Sequence, residues 1–520
     1  MKVTVERLDA SKDAIEKAVR EFSASGVHYA DARVEVFEGK GANAFKGSIR
    51  GATEDFGLSA GVRVYAKSNS VVAAGQAGKE LGAKQLESIG KELKEMMKTA
   101  LKRAKLSAEQ KKNLKKKYGF FGESVGKTEL APIEVFQDTV KAEFKKSPRD
   151  FSLEEVVKRS ESLSVELSKR KGIASNDISI VTGLNRKIFA SSEGALIDQS
   201  KALTQGFIFV AAKGKAVETF YDWVGGYAGL EVLDGANEFE KSFEDFASYL
   251  ADGTIEVSNA PAMKTTSKPV TVITDPWFNA LLSHEITGHP SEADRALKKE
   301  TAWAGRAWWF NSMEENRIGQ RVGAELLTVF SDPTLKGYGH YKYDDEGVKA
   351  KRVVHIDKGI LREFLNSRET ASILGSEPNG GMRANVASSM PLIRMNNTAI
   401  APGKWKKEEL FEETKEGYYL VGQKTPSIGE TRQNFKITCW KLFEIKNGEI
   451  GKLYRQGGIT GDSYTFFNSI DALADDFRLF NIPNCGKGTP MQSMKVSNGG
   501  PHLRAKAVVS GGHVEETGAV

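Results

Sequence analysis

The hydrophobic positions of the chain change period several times. Residues 11–22 place apolar side chains at helical spacing, with Ser11 in front and Gly26 behind, and predict an amphipathic helix. From Tyr29 to Gln76 the period falls to two, as in Ala32-Arg33-Val34-Glu35-Val36-Phe37, and predicts antiparallel strands. Residues 81–117 return to a helical, lysine-rich pattern, with breaks expected at Gly90 and near Ser107. Helices around 153–171 and 238–250 frame a second strand-rich stretch, 178–217. The glycines 225, 226 and 229 mark a change of character near residue 235. The expected architecture is α+β (mixed α/β): an N-terminal α/β domain, 1–235, and a strand-rich C-terminal domain, 236–520.

In the second domain a strand at Val270-Thr271-Val272-Ile273 leads into a buried helix. Asp275 is a good N-cap, Pro276 suits the first helical position, and Trp277, Phe278, Leu281, Leu282 and Ile286 form its apolar stripe. That helix carries the stretch with chemistry to offer, Ser283-His284-Glu285-Ile286-Thr287-Gly288-His289-Pro290. Its His-Glu-x-x-x-His core is one residue too long for one face of a regular helix, where residues five apart sit roughly 140° apart. A π-turn would absorb the extra residue. Alternatively the helix ends first, with Gly288 as a left-handed cap and Pro290 pushing His289 out of the α region; the glycine and proline favour this second solution.

A catalytic zinc takes three protein ligands and keeps one position open. His284 and His289 therefore need a third, and Glu285 has the position of the acid/base. A histidine on an apolar helix is more often a satisfied core residue, so the motif alone is suggestive only. Two cysteines are present. Cys439 alternates with Phe435 and Ile437 and reads as a small buried hydrophobe. Cys485, in Pro483-Asn484-Cys485-Gly486-Lys487-Gly488, reads as a loop thiol beside a lysine, where ionisation is easier and zinc is better served. Cys485 is the better third ligand and Glu292 the fallback.

These residues resemble the TldD/PmbA family of metalloproteases, on its metal-bearing TldD side. Gly61-Val62-Arg63-Val64-Tyr65 is similar to the family's Gly-Val-Arg strand. Asp344-Asp345-Glu346-Gly347, a hairpin ending Asp357-Lys358-Gly359-Ile360-Leu361, Asn379-Gly380-Gly381-Met382-Arg383 and Met390-Pro391-Leu392-Ile393-Arg394 follow in the family's order. The resemblance covers most of the chain and is strongest from about residue 269 onward. Pro290 departs from it, where the family usually has glycine. The resemblance implies one zinc per chain on His284, His289 and Cys485, with Glu285 as general acid/base. It also implies hydrolysis of unfolded peptides or short polypeptides, and a homodimer or a heterodimer with a metal-free relative. The alternative it offers is a non-catalytic, PmbA-like assembly partner. The roles of Glu292, Asp294 and Arg383 stay open. The strand-rich second half is suited to binding a peptide as an added strand.

Composition narrows the setting. A chain of 520 residues exceeds one core. Two cysteines make no disulfide framework and fit a reducing cytoplasm; the charged N-terminus is not a signal peptide, and no run of about 18 apolar residues predicts a membrane span. The net charge of +6 neither demands nor excludes an acidic partner. Lys102, Arg103, Lys105, Lys111, Lys112, Lys115, Lys116 and Lys117 form one basic run. It reads as a solvated helix face rather than a nucleic-acid contact. Trp303, Trp308, Trp309 and Phe310 read as core before cleft. The glycine pairs lack the strand-to-helix context of a phosphate loop, which excludes nucleotide binding. Residues 511–520 are expected to fray.

Overall fold

The computed structural model describes residues 4–24, 26–68, 71–118 and 129–512. The first half is organised by one sheet of seven strands: β1 (Tyr29–Phe45), β2 (Ser48–Ser68), β3 (Val71–Glu80), β4 (Gln137–Val140), β5 (Ile173–Ser191), β6 (Leu196–Lys213) and β7 (Val217–Gly226). Their order is β3-β2-β1-β5-β6-β4, with β7 also on β6. On one face Ala32, Val34, Val36, Val62 and Val64 pack with Leu93, Met97 and Ala100 of a long helix. This is the apolar half of the alternation, buried as the period predicts.

The polar half is buried too. Asp31, Arg33, Glu35 and Arg63 are at most 6% exposed, because the C-terminal half lies over them. Arg63 donates to Asp31 (2.6 Å) and Glu346 (3.0 Å), Lys187 pairs with Asp345 (3.1 Å), and Glu35 accepts from the Ala387 N–H (2.6 Å). A Cβ at Gly61 would overlap the Ala387 carbonyl, and one at Gly78 the Ser388 carbonyl, so both glycines allow the halves to close on each other. The Gly-Val-Arg and Asp-Asp-Glu-Gly motifs thus meet as ties between the halves.

The lysine-rich stretch forms helices Ala83–Leu86 and Ile89–Tyr118. The break falls at residues 87–88, and the helix runs through Gly90 and Ser107 because Leu93, Met97, Ala100, Ala104 and Ala108 keep one buried stripe. The side chains of Lys112, Lys115, Lys116 and Lys117 lie outside the described residues, as do residues 513–520. The helix expected at 238–250 is Phe243–Asn259, capped by Ser242, which accepts from the Asp245 N–H (3.1 Å). Among the described residues, no helix is long and apolar enough to cross a membrane.

Besides a two-stranded sheet, Met382–Arg383 with Leu392–Ile393, the second half holds two larger ones. One runs Ile360–Leu361, Val353–Asp357, Val329–Ser331, Asn397–Ile400, Gln492–Gly500, Arg478–Lys487. The other joins Glu416–Ile428, β8 (Val270–Thr274), Leu503–Ser510, Gly458–Asp462 and Asn434–Lys446, and closes on itself where Asn434–Lys446 pairs back with Glu416–Ile428. The helix Pro276–Ser283 leaves β8 and lies between the two sheets, with Phe278, Leu281, Leu282 and Ile286 in their shared core. Trp309 and Phe310 are core, as expected, whereas Trp303 is 63% exposed.

Candidate metal centre

Asp275 caps the helix by accepting from the Phe278 N–H (2.6 Å), with Pro276 at the first turn. The helix does not end before the second histidine. Residues His284–Gly288 form a π-turn in which the His289 N–H donates to the His284 carbonyl, one in sequence five residues back. That turn converts a five-residue spacing into one helical repeat and sets both rings on the same face, their centroids 4.7 Å apart. The favoured solution of a terminated helix is therefore wrong. Gly288 has φ −64°, not a left-handed value, and His289 keeps helical angles despite Pro290. Gly288 is required for another reason: a Cβ there would overlap Met395 Sδ. Pro290 sits inside the short 3₁₀ turn His289–Ser291.

Cys485 is not in a loop. It lies on Arg478–Lys487, paired opposite Met494 of Gln492–Gly500, just after a bulge. The pairing brings its Sγ to 3.7 Å from His289 Nε2, and one ligand atom from each of His284, His289 and Cys485 falls within a 4.8 Å span. Metal–nitrogen and metal–sulfur bonds of ordinary zinc length span about 3.6 Å along a tetrahedral edge, so the set fits a tetrahedral ion with one position open. All three residues are buried.

The outer nitrogens of the two rings are held. His284 Nδ1 lies 2.9 Å from Asn498 Oδ1, and the Asn498 amide donates to the Thr398 carbonyl (3.0 Å), which turns its oxygen toward the ring. His289 Nδ1 lies 3.0 Å from Glu292 Oε2. Both contacts leave Nε2 facing inward, the tautomer a metal needs. Glu292, the fallback ligand, thus stands behind His289 rather than beside Cys485. It is fixed there by Arg295 (2.9 Å) and Lys487 (3.1 Å), and Lys487 also reaches Asp294 (2.7 Å).

Burial alone would raise the Cys485 thiol, but His284, His289 and Arg394 outweigh it and hold it well below its ordinary range. Lys487 spends its charge on Glu292 and Asp294, so it is not the neighbour the sequence implied. Burial works against charging His284, yet the Cys485 thiolate lifts it to about 8. Burial alone would raise the Glu285 carboxyl, but Arg432, paired with it at 2.5 Å, holds it below the ordinary carboxylate range. Arg432 also donates to the carbonyls of Glu285 (3.2 Å), Trp303 (3.2 Å) and Ala304 (2.9 Å). Its own φ is 60°, and those of Trp303 and Ala304 are 59° and 54°, so this clamp joins backbone held in a sparsely populated region. Arg383 is apart from the centre and donates to the Met395 carbonyl.

Cys439 is a buried strand residue whose thiol burial pushes far up, as a small hydrophobe should be. His284, Glu285, His289 and Cys485 line a cleft of about 570 Å³ whose opposite wall is Tyr221 and Trp223 of β7. Glu416–Ile428 lines it too, and on its cleft side β8 pairs with that strand only at Tyr418–Leu420. Sequence reasoning did not find Arg432 or Asn498. They stand 147 and 214 residues from their partners, outside any motif.

The chain is similar to known metalloproteases in sequence and to solved structures in fold. Residues 267–512 match the family model described as the PmbA/TldA metallopeptidase C-terminal domain. A metalloprotease of Methanothermobacter thermautotrophicus is 31% identical over 342 residues, 66% of this chain and 70% of its own. A zinc metalloprotease TldD homolog of Saccharolobus solfataricus is 36% identical over 247 residues, 47% of this chain and 52% of its own. In fold, the crystal structure of TldE from Thermococcus kodakarensis superposes with a TM-score of 0.69 at 18% identity, covering 96% of this chain and 100% of that one.

Proposed function

The chain belongs to the PmbA/TldD family, and from that premise we propose that it is a zinc-dependent peptidase acting on unfolded peptides or short polypeptides. The observation that carries the proposal is the convergence of a His/His/Cys set within 4.8 Å on a cleft that Glu285 also enters. His284, His289 and Cys485 would hold the ion, which when bound supplies Lewis acidity to a water and to the scissile carbonyl. Glu285 takes the proton of the attacking water and returns it to the leaving amine. Arg432 keeps that carboxylate ionised and pointed, since its other contacts are fixed backbone carbonyls. A thiolate ligand calls for a reducing setting, which supports a cytoplasmic enzyme.

The substrate lies extended in the cleft. β7 pairs with β6 alone, and Glu416–Ile428 has no strand partner on its cleft side beyond Leu420 among the described residues. Either edge offers backbone groups to an added strand, a sequence-tolerant mode of binding.

Metal analysis by mass spectrometry and peptide hydrolysis test the proposal together. Cys485→Ala should lose most of its metal. Glu285→Gln should keep the metal and lose about 10²–10⁴ in rate. Full metal in the first variant would remove Cys485 as a ligand, and near-normal turnover in the second would remove Glu285 as acid/base. Peptides N-methylated on the backbone should resist cleavage; unchanged rates would exclude strand pairing.

A further inference from the structure

A second cavity, of about 220 Å³, lies between the first sheet and the C-terminal half. It shares a hairpin with the metal centre. Cys485 is paired opposite Met494, and Met494 lines this cavity together with its neighbours Ser493 and Lys495. The two sites therefore share one pair of strands.

Six charged side chains line the cavity: Lys187, Lys201, Arg383 and Lys495 against Glu35 and Asp345. Four positive and two negative groups leave a surplus of two positive charges. Lys187 is satisfied by Asp345 (3.1 Å), and Glu35 is occupied by the Asn185 amide (2.6 Å) and the Ala387 N–H (2.6 Å). The other three cations meet no carboxylate among the described residues. Lys495 Nζ donates to the neutral Gln205 side chain (2.7 Å). Arg383 donates to the Met395 carbonyl, while its buried Nε has no acceptor. Lys201 Nζ has only the ring faces of Tyr227 (4.4 Å) and Tyr341 (5.7 Å).

Arg383 is buried and Lys201 and Lys495 are half-buried, and cations withdrawn from water without a counter-charge are costly. The strain is visible in the lysines themselves: burial pushes Lys201 down to about 7 and Lys495 to about 8. Access exists as well. A second depression, of about 320 Å³, shares Lys201, Tyr227 and Tyr341 with the cavity and adds Lys141, Lys342 and Lys349 together with the ion pair of Lys336 and Glu143, a net basic approach. A volume of 220 Å³ equals the share of about seven waters, room for a compact solute and too little for a peptide.

We propose that this cavity binds a compact dianion, of the class of inorganic phosphate, a small phosphomonoester or a short dicarboxylate, with Lys201, Arg383 and Lys495 as its ligands. Because the lining comes from both halves of the chain, the bound anion ties them together behind the strand that carries Cys485.

Titration calorimetry with inorganic phosphate and with succinate, at ionic strength held constant with sodium chloride, tests this on the full chain. The titrations are run as purified and again after dialysis against a chelator, so that phosphate on the metal does not count. At least one probe should saturate about one site per chain and persist after chelation. Lys201→Met should weaken it about tenfold or more, and should raise the melting temperature of the anion-free protein by removing a half-buried charge that has no carboxylate partner. Lys495→Met is the second variant if the first does not fold. No binding of either probe to the wild type, or unchanged affinity in the folded variant, overturns the proposal. Which probe binds separates the phosphate class from the dicarboxylate class.

Discussion

The two sides of the hairpin formed by Arg478–Lys487 and Gln492–Gly500 treat buried charge in opposite ways. On the metal side Glu292 and Asp294 face Lys487 and Arg295, with three contacts of 2.7 to 3.1 Å among them, and Glu300 stands 3.9 Å from Arg295. On the cavity side Lys201, Arg383 and Lys495 stand without a carboxylate among the described residues. A buried ionic cluster that the protein closes by itself orients its neighbours, here His289 through Glu292. One that the protein leaves open has a place for something from outside. The lesson is that charge withdrawn from water marks function only when read with its partners, because both clusters hold such charge.

The most severe way to break the contrast is to open the closed cluster. Lys487→Met keeps the bulk of a fully buried side chain and leaves Glu292 and Asp294 facing each other. Removing one partner of such a network costs about 3–5 kcal/mol. The variant should melt well below the wild type and lose metal, since Glu292 would no longer be held against His289. Thermal unfolding and metal content measured together decide it; a variant with both unchanged would show that Glu292 does not need Lys487.

A gentler probe acts on the other ring. Asn498→Ala removes the acceptor of His284 Nδ1 but no charge, so the melting temperature should move far less than in the lysine variant. Loss of such an orienting contact typically costs about 10–100-fold in metal affinity. Competition with a chelator of known affinity reads this directly. Equal affinity in the variant would mean that the Pro276–Ser283 helix and its π-turn alone set the ring.

How much of this was open to a reader of the sequence depends on whether the decisive contact is local. Asp275 and Pro276 announce their helix because a cap acts within one turn, and the period-two runs of β1 to β3 announce a sheet. The same period cannot say what covers the polar face, so it gives no sign that Asp31, Arg33 and Glu35 are buried. Gly288 and Pro290 read as helix terminators by local rules that cannot see Met395 arriving from more than a hundred residues away. Gly486 and Gly488 made Cys485 look like part of a loop, because strand pairing with Gln492–Gly500 leaves no periodic mark in so short a run. The ligand set was named as candidates from spacing and resemblance. The clamp of Arg432 on Glu285, which depends on a turn with φ of 60°, carries no signature at all.

Asp222 sharpens the comparison from a third position, on the wall of the cleft that holds the metal centre. It is 2% exposed and accepts from Trp277 Nε1 (2.7 Å) and from the Trp223 N–H (2.8 Å), with no cation beside it. It meets the cost of burial by staying neutral: desolvation pushes it up to about 7. A carboxyl raised on folding binds its proton more tightly in the folded chain. Its contribution to stability is therefore complete below the ordinary carboxyl range, near 4, and is lost as pH rises through about 7. The slope is at most about 1.4 kcal/mol per pH unit. Lys201 is shifted the other way, so raw pH profiles mix opposite contributions, and the difference between variant and parent is the quantity to measure. Asp222→Asn should be no more stable than the parent near pH 4, should gain on it steadily up to about pH 7, and should then hold a constant lead. Melting temperatures of the two proteins that run parallel from pH 4.5 to 8 would show that Asp222 is ionised throughout, and that the cleft wall holds a charge the rest of the molecule has to balance.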